Sequence, residues 1–441
     1  MKGLILTYLI AYGGAALALF YPVVGVFTYA FLSVARPQLL YGWAGDLSGL
    51  SRVVGICLVI GWTVKRFGNW SFGRARLPIT MYLCYFAWLC LSAVFADNQD
   101  VAWNTVFEQL KIVLAFLAGV TLIRSRNEVK TLAWTIVLAQ ALVGFEMNLS
   151  YVQGYNRAQA EGLLGDNNTF AVSLVATAGP ALFLGLGSVK LWQKGIAFLS
   201  AAMILHTTLL TYSRGAVMAL IVSAALSFLV MPKKPTYLLA VFLAAAIGIR
   251  LTGPQLLKRF ETSFASAENR DYSAESRLKL WQDCFTVMSR NPVVGIGPDH
   301  WPLVAANFGW PRGKAAHTFW LQMGAELGIP GLFFLASFYL TTLWQGWKLA
   351  RSKEDPWLTN MGCYAFSGLG GFIFAAQFVS AGGIEVPQFL AIVGLTPLLL
   401  ANQPAGIIEL SHRPGPPALP PQRPLRRPGR LTPEELRRVL R

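Results

Sequence analysis

Long apolar runs separated by short polar segments follow one another along the chain as far as residue 402. Most runs approach the ~20 residues with which an α-helix crosses ~30 Å of hydrocarbon. The runs occupy residues 4–35, 52–68, 78–96, 107–123, 129–151, 167–187, 192–211, 214–231, 236–252, 321–349, 358–380 and 386–402. They predict an all-α, polytopic membrane protein of about twelve transmembrane helices. Tyr21-Pro22 either kinks the first run or divides it into two spans, which would give thirteen.

The composition supports a membrane protein. Hydrophobic residues make up 54% of the 441 residues and charged residues 13%, with a mean hydropathy of +0.48. A soluble domain carries about 25% charged residues, so an ordinary globular core is excluded. The N-terminal run lacks a small-residue cleavage site and is interpreted as a retained span. The five cysteines show no CxxC or paired spacing, which argues against a disulfide framework or a zinc site.

The net charge of +16 would suggest nucleic acid as the partner of a soluble protein. Here the positive-inside rule explains it better, and no nucleic-acid partner is expected. The basic segments lie at 65–76, 124–130, 190–194, 231–235 and 348–353, each on the same side of the predicted spans. We therefore expect all five to be cytoplasmic. The segments 96–104, 153–168, 211–215 and 253–316 are then external.

Candidate chemistry lies at the external boundary, where four arginines occur: Arg157, Arg214, Arg270 and Arg277. A snorkelling arginine or a surface ion pair is the structural alternative for each. Arg214 is the hardest to explain in that way, because it sits in a tight turn between two spans. Since the guanidinium fork matches phosphate oxygens, several such arginines in one pocket would suit a diphosphate.

The chain has four histidines. His317 opens the tenth apolar run at the external boundary, and its ordinary pKa near 6.5 suits a general base. His206 lies within a run and is expected to form an interhelical hydrogen bond. His300 is either structural or part of the site, and His412 lies in the tail.

The sequence lacks the motifs of several other activities. No Walker A sequence, DxD pair, metal-ligand spacing or G-x-S-x-G occurs, so we expect neither ATP-driven transport nor a metal or other cofactor. The charged residues Glu108, Lys111, Glu146 and Glu326 are predicted to lie near span ends, which argues against an ion relay.

Three stretches taken together resemble the O-antigen ligase and polymerase superfamily of bacterial envelope glycan assembly. They are "LLTYSRGAVMAL", "SAESRLKLWQDCFTVMSRNPVVGIGPDHW" and "AAHTFWLQMGAELGIPGLFFL". The shared pattern is Ser213-Arg214-Gly215, Arg277 before Trp281, Pro292 to Gly297, and His317 followed by Leu321, Glu326, Gly328 and Gly331. "RPQLLYGWA" (36–44) and "GLLGDNN" (162–168) resemble the probable O-glycosylation ligases linked to exosortase gene clusters. Many members have His-Asn where this chain has His317-Thr318.

The resemblance implies a GT-C-like glycosyltransferase in the bacterial inner membrane with its active site facing the periplasm. Its donor would be an undecaprenyl-diphosphate-linked glycan and its acceptor a hydroxyl of the lipid A core or a similar molecule. His317, Arg214 and Arg277 would be catalytic. The candidate substrate-binding residues are Arg157, Tyr212, Arg270, Lys279, His300 and Asn168. A polymerase of the same superfamily, or a non-enzymatic transporter of lipid-linked glycans, is the alternative.

Four segments are predicted. Residues 1–252 and 321–403 hold transmembrane helices, and residues 253–320 form one large periplasmic loop that contains helices. In that loop Leu278, Trp281, Cys284 (or Phe285) and Met288 are expected to form the apolar stripe of an amphipathic helix. Residues 404–441 form a cytoplasmic Pro/Arg-rich tail attracted to anionic membrane lipids.

Overall fold

All regular structure among the described residues is helical. The computed structural model describes residues 2–44, 47, 49–162, 166–235, 272–352, 355–380 and 382–401, together with residues 237, 242, 246, 250 and 438. Most of the predicted span 236–252, the segment 253–271 with Arg270, and the tail apart from Arg438 lie outside these residues. Residues Met1–Asn402 form one unit and Gln403–Arg441 a second. Everything that follows concerns the first unit.

The helices run in chain order as follows: α1 (Lys2–Phe20), α2 (Pro22–Ala35), α3 (Pro37–Leu40), α4 (Gly49–Val64), α5 (Arg76–Val94), α6 (Gln99–Leu122), α7 (Arg126–Val152), α8 (Arg157–Ala160), α9 (Asn167–Gly187), α10 (Leu191–Leu210), α11 (Arg214–Val230), α12 (Tyr272–Arg290), α13 (Trp301–Val304), α14 (Phe319–Ala350), α15 (Pro356–Ala375) and α16 (Val386–Ala401). Short 3₁₀ turns occur at Gly42–Ala44, Gly73–Ala75, Ala305–Phe308 and Ala376–Phe378.

Eight stretches among the described residues are long and apolar enough to cross a membrane. They are Gly3–Phe20, Pro22–Leu40, Gly73–Val94, Gln99–Leu122, Arg126–Val152, Asn167–Gly187, Phe319–Ala350 and Pro356–Phe378. The predicted polytopic all-α class is confirmed, but the count of twelve is not. Three predicted spans form apolar helices of only 16 or 17 residues (α4, α11 and α16), which reach about 25 Å at the α-helical rise.

The first predicted run forms two helices and not one. A Cβ on Gly14 would lie 2.2 Å from Thr28 Oγ1, and one on Gly25 would lie 2.8 Å from Ala18 Cβ. Residues later in α1 therefore face residues earlier in α2, so the two helices are antiparallel. Tyr21 forms the connection and Pro22 begins α2, as expected for proline at a first helical position. The alternative in which Tyr21-Pro22 divides the run is thus correct.

The five predicted basic segments lie at one end of the bundle, which we call the basic end. The Asn69 amide N–H donates to Thr121 O at 3.1 Å, and Arg126 pairs with Asp355 at 2.6 Å. A Cβ on Gly187, at the end of α9, would meet Asn360 near the start of α15. The opposite end, which we call the site end, consists of residues 36–44, 95–98, 153–162, 211–213, 291–318, 376–380 and 382–385, most of which are connected by hydrogen bonds.

Small residues let the central helices approach closely. A Cβ on Gly179 of α9 would lie 2.6 Å from Ser367 Oγ of α15, and one on Gly368 would lie 2.7 Å from Ala176 O. Such contacts are typical of helix packing in membranes. His206 of α10 is hydrogen-bonded to Asn148 of α7, so the predicted interhelical bond is present.

The amphipathic helix predicted after residue 270 is α12, but its buried face differs from the expected stripe. Leu280, Cys284 and Val287 are buried, at helical spacing, whereas Leu278 is 52% exposed. A Cβ on Gly324 of α14 would lie 2.5 Å from Met288 Sδ, so this face packs on the start of α14. Leu278 lies two residues before Leu280, about 200° around the helix, and therefore points away.

A sharp kink in α14 receives the turn that follows α12. Gly328 has φ 70° and ψ −175° inside the helix. Ile329 N–H donates to Pro292 O at 2.8 Å, and Gly297 N–H donates to Glu326 O at 2.9 Å. At the kink, backbone N–H and C=O groups of α14 lack the hydrogen-bond partners that a straight helix would provide. The turn after α12 supplies these partners. We call this contact the clasp.

We expect Gly328→Ala to lower the free energy of unfolding by about 2 kcal/mol or more. Alanine disfavours the positive φ, and its Cβ would lie 2.2 Å from Val293 O. The measurement is the thermal unfolding midpoint in detergent. Gly195→Ala is the matched control, since that helical glycine has nothing within 4 Å of an added Cβ. Equal midpoints for the two variants would refute the importance of the clasp.

Candidate active site at the site end

His317 is held from two sides directly before α14. Its backbone N–H donates to Ser380 Oγ at 3.2 Å, and its carbonyl accepts from Trp281 Nε1 at 3.4 Å. Its φ of 52° is left-handed, a conformation that residues other than glycine adopt rarely and mostly where the surroundings impose it. The ring therefore projects from a backbone that α12 and the segment after α15 both fix.

The electrostatic surroundings of His317 keep its imidazole neutral. Partial burial lowers its pKa below the usual value, and the nearby charges of Arg277 and Lys314 lower it further, while Asp166 acts in the opposite direction. At neutral pH the ring is therefore unprotonated and able to accept a proton. Arg277, on α12, therefore lies close enough to His317 for its charge to act on the imidazole.

The Ser213-Arg214-Gly215 turn is tied to the start of α9. Ser213 caps α11 by accepting the Ala216 N–H at 3.2 Å, and it donates to Asn168 Oδ1 at 2.7 Å. Asn167 Nδ2 donates to Thr211 O at 2.8 Å. These bonds fix Arg214 as the first residue of α11. Of the predicted substrate-binding residues, Asn168 therefore holds the turn.

Tyr212 lies in the same turn with φ 51° and a side chain only 4% exposed. Its phenol ring packs with Leu209 and Val217. A Cβ on Gly215 would lie 2.8 Å from Phe378, whose ring centroid lies 6.5 Å from that of Trp281. Phe378 therefore connects the turn to the face of α12 that contacts His317, so these residues lie close together.

Arg157 has three protein partners. Its Nε donates to Glu161 Oε2 at 2.7 Å, and its Nη1 and Nη2 donate to the carbonyl oxygens of Leu40 and Leu39 at 3.1 and 2.8 Å. These carbonyls close α3. The guanidinium thus braces two loops of the site end and is not directed at the His317 neighbourhood.

His300 is 2% exposed, and both ring nitrogens contact backbone groups. Nδ1 donates to Pro298 O at 2.8 Å, and Nε2 accepts the Asn98 N–H at 3.0 Å. A carbonyl can only accept, so the geometry selects the neutral Nδ1–H tautomer. Of the two readings left open by the sequence, this arrangement fits the structural one and leaves no ring nitrogen for a substrate.

Two further predicted positions lie away from His317 or outside the described residues. Lys279 Nζ lies 5.7 Å from the Trp310 ring centroid, on the outer surface of the loop, and Trp310 Nε1 donates to Asp283 at 2.8 Å. Arg270 lies outside the described residues. Thr318, which replaces the asparagine of many superfamily members, is fully buried and accepts from Gln377 Nε2 at 3.4 Å.

Sequence reasoning missed a cavity of about 1080 Å³ next to His317. It reaches from Arg36, Gly313 and Gly382 at the site end down to Ile60 and Leu335. Ser380, which accepts the His317 N–H, and Ala315 and Phe319, each two residues from His317, line its wall. None of the predicted site residues that the structure describes is part of this lining.

The sequence feature that could have indicated this cavity is a pair of charged side chains within one apolar run. Glu108 and Lys111, which pair at 2.5 Å and line it, were expected near a span end. That expectation is wrong, because α6 begins at Gln99, eight residues before the apolar run. The pair therefore lies well inside the candidate span.

Residues 195–336 match the family model described as O-antigen ligase, and this match contains Arg214, Arg277 and His317. Residues 1–181 match a family of unknown function, DUF5935. This match places residues 195–336 in the O-antigen ligase superfamily. Together with the eight candidate spans, it supports a multi-pass membrane enzyme of the glycosyltransferase-like ligase or polymerase type. No curated protein matches the chain significantly.

The motifs of the superfamily have two different roles in this chain. Ser213-Arg214-Gly215 and His317 lie in the candidate site, whereas the turn 292–297 and Glu326 form the clasp. Glu326 is 1% exposed. Its carboxylate accepts the N–H groups of Asp299 at 3.1 Å and Trp301 at 3.2 Å, and Gln322 Nε2 at 2.9 Å. It thereby holds the α14 kink against the loop that carries His300.

Replacing Glu326 by glutamine tests this role. An amide nitrogen would face one of the backbone N–H donors, so we expect Glu326→Gln to lower the free energy of unfolding by about 2 kcal/mol. The measurement is again the unfolding midpoint in detergent. Glu275→Gln, on the exposed side of α12, serves as the control and should change it little. A midpoint unchanged in Glu326→Gln would contradict the structural assignment.

Proposed function

We propose that the protein transfers a glycan from undecaprenyl diphosphate to an acceptor hydroxyl on the lipid A core or a similar molecule. The observation that carries the proposal is the arrangement of a neutral, backbone-clamped His317 with Arg277 and the Arg214 turn in one neighbourhood of an O-antigen ligase superfamily member. A base beside cations is what transfer from a diphosphate to a hydroxyl requires.

The proposed reaction is one displacement. The acceptor oxygen attacks the anomeric carbon while His317 takes the hydroxyl proton. The bond between that carbon and the diphosphate oxygen breaks, and its electron pair leaves with the diphosphate. Arg214 and Arg277 stabilise the negative charge on the leaving group. Attack from the opposite side inverts the anomeric configuration, and the diphosphate is already a sufficient leaving group without a metal ion.

The remaining predicted residues receive different roles in this proposal. Asn168 and Tyr212 position Arg214 through the turn that they hold. Arg157 and His300 position loops of the site end. Lys279 and Arg270 stay candidates for contact with the donor as it approaches α12.

The proposed location is the bacterial inner membrane with the site end in the periplasm. The five basic segments at the opposite end support this orientation, because lysine and arginine concentrate on the cytoplasmic side. A lipid-linked donor then reaches the site from within the bilayer, and the cavity beside His317 offers room for a substrate.

A polymerase of the same superfamily is the second candidate function, because the family match covers both activities. The two differ only in the acceptor, which for a polymerase is another lipid-linked glycan. Product formed from donor alone would indicate the polymerase. The stretches that resemble exosortase-linked ligases favour the ligase.

We expect His317→Ala and Arg214→Ala each to reduce glycan transfer at least 100-fold, since a general base and a charge-stabilising donor each contribute about that much or more. The measurement is product formation by purified protein with an undecaprenyl-diphosphate glycan and candidate acceptors. Arg290→Ala is the control for loss of a loop arginine, because Arg290 is exposed at the far end of α12. Full transfer by both variants with normal membrane expression would refute the mechanism.

The pH dependence of transfer provides a second test. A base acts only when neutral, so kcat/KM is high above the pKa of His317 and falls as the pH drops through it. We expect the midpoint of this acidic limb below 6.5, since burial, Arg277 and Lys314 all lower the pKa. Lys314→Gln removes one positive charge and should move the midpoint to higher pH.

Asp166→Asn should move the same midpoint in the opposite direction. It removes the negative charge that raises the pKa of His317, while asparagine still accepts the N–H groups at the start of α9. Shifts of equal sign in the two variants, or no acidic limb in the wild-type protein, would exclude His317 as the titrating base.

A further inference from the structure

The cavity and the Arg277 neighbourhood meet at His317. Ser380 accepts the His317 N–H and also lines the cavity, and Ala315 and Phe319 line it on either side of the histidine in sequence. Arg277 approaches from α12, whose residues are not among those that line the cavity. A reaction between two substrates at His317 would therefore have one substrate in each compartment.

The charges of the two compartments differ. Four acidic side chains (Glu108, Asp299, Glu326 and Glu385) and three cations (Arg36, Arg52 and Lys111) line the cavity among the described residues, so its lining has no excess of positive charge. Arg277 and Lys314, in contrast, are the cations that act on His317. A diphosphate is attracted by arginine and lysine. The charge pattern thus favours a diphosphate beside Arg277 and an uncharged group in the cavity.

Two of the three cations that line the cavity are already paired within the protein. Lys111 pairs with Glu108 at 2.5 Å. The Arg36 guanidinium donates to Gly383 O, and its charge lies close to the Glu385 carboxylate, which also accepts from Ser33 Oγ at 2.8 Å. These pairs leave little positive charge for an anionic ligand.

The upper wall of the cavity has groups that suit hydroxyls. Asn104, Gln109 and Gln38 are uncharged amides, each with donors and acceptors that can match a hydroxyl, which is both. Tyr29, Tyr85 and Tyr339 add aromatic rings to the lining. Polar groups of this kind in an otherwise apolar pocket fix the orientation of a ligand.

The cavity extends to the depth of the membrane spans, where apolar side chains join its lining. Leu58, Ile60 and Leu335 line it there, together with the Glu108–Lys111 pair. Ile60 lies nine residues beyond Ser51 along α4, about 13 Å at the helical rise. A ligand that fills the whole cavity must match both polar groups and apolar side chains.

We propose that this cavity is the acceptor site and that it takes a neutral glycolipid, an amphiphile with an uncharged, polyhydroxylated head group. The assignment rests on the proposed function, because it identifies which substrate of that reaction lies on this side of His317. One head-group hydroxyl then extends past the wall formed by Ala315 and Ser380 to His317, which takes its proton while the oxygen bonds to the anomeric carbon and the diphosphate leaves.

Binding to the full-length protein in lipid nanodiscs tests the proposal with two probes of equal chain length, octyl β-glucoside and octyl phosphate. We expect saturable binding of the glucoside and weaker binding of the phosphate. In Asn104→Leu/Gln109→Leu the Kd for the glucoside should rise about tenfold, as expected for the loss of two hydrogen bonds. Asn127→Leu, an exposed asparagine at the basic end, is the matched control and should leave that Kd unchanged.

Three results would overturn the proposal. They are tighter binding of octyl phosphate than of octyl glucoside, absence of saturable glucoside binding in the wild-type protein, and an unchanged glucoside Kd in the double variant. The first would make the cavity a site for a phosphorylated lipid.

His317→Ala separates this proposal from the proposed function. The variant should lose transfer and keep glucoside binding, because His317 does not line the cavity. Glucoside binding in the cavity together with full transfer by His317→Ala would refute the reaction mechanism. Loss of transfer without glucoside binding would refute the acceptor site alone.

Discussion

A single buried carboxylate, that of Glu326, holds together the helix that follows His317 and the loop that packs against this helix. Glu326 accepts two backbone N–H groups from the segment 299–301 and a side-chain amide from its own helix, in a place with almost no solvent. A carboxylate buried without such donors would be strongly destabilising, so the loop, the kink at Gly328 and the first turns of α14 must fold together. His317 stands at the start of that helix. Its position therefore depends on the clasp although Glu326 takes no part in the proposed reaction.

The geometry around His317 divides the site end into two compartments with different electrostatics. On one side Arg277 and Lys314 lower the pKa of the imidazole, which favours the neutral base. On the other side a large cavity, whose lining has no excess of positive charge among the described residues, extends toward the middle of the membrane helices. The proposed transfer between a charged donor and an uncharged acceptor would use such a difference, because the same pocket cannot favour a diphosphate and a neutral sugar equally. The strained backbone of His317, held by Ser380 and Trp281, lies at the boundary.

Much of the architecture follows from the sequence because membrane helices need long apolar runs, and these are visible without a structure. The runs at 129–151 and 167–187 nearly coincide with α7 and α9. The pattern of apolar runs did not predict helix ends correctly where polar residues belong to a helix. Because α6 begins at Gln99, Glu108 and Lys111 lie inside a candidate span, and the cavity that they line was not predicted. The pattern also failed at α12, where Leu278 was assigned to the buried face although only packing on α14 decides which face is buried. For the site, motif order singled out His317, Arg214 and Arg277. It could not separate a residue that contacts substrate from one that braces a loop, as Arg157 and His300 do.

The sequence by itself determined a helical membrane protein, the common end of its basic segments, its superfamily and the identity of the candidate base. Each of these depends on composition, on alternation of apolar and polar segments, or on residue order, which are properties of the chain read in one dimension. The tertiary structure decided the antiparallel pairing of α1 and α2, the partners of Glu326, the tautomer of His300 and the existence of a cavity beside His317. Apart from the α1–α2 pairing and the bond from Gln322 to Glu326, these depend mainly on contacts between residues tens to hundreds of positions apart. A hydrogen-bond donor such as the Asn98 N–H has no signature in any one segment, and a cavity wall shared by α4, α6 and α14 forms only when distant segments pack together.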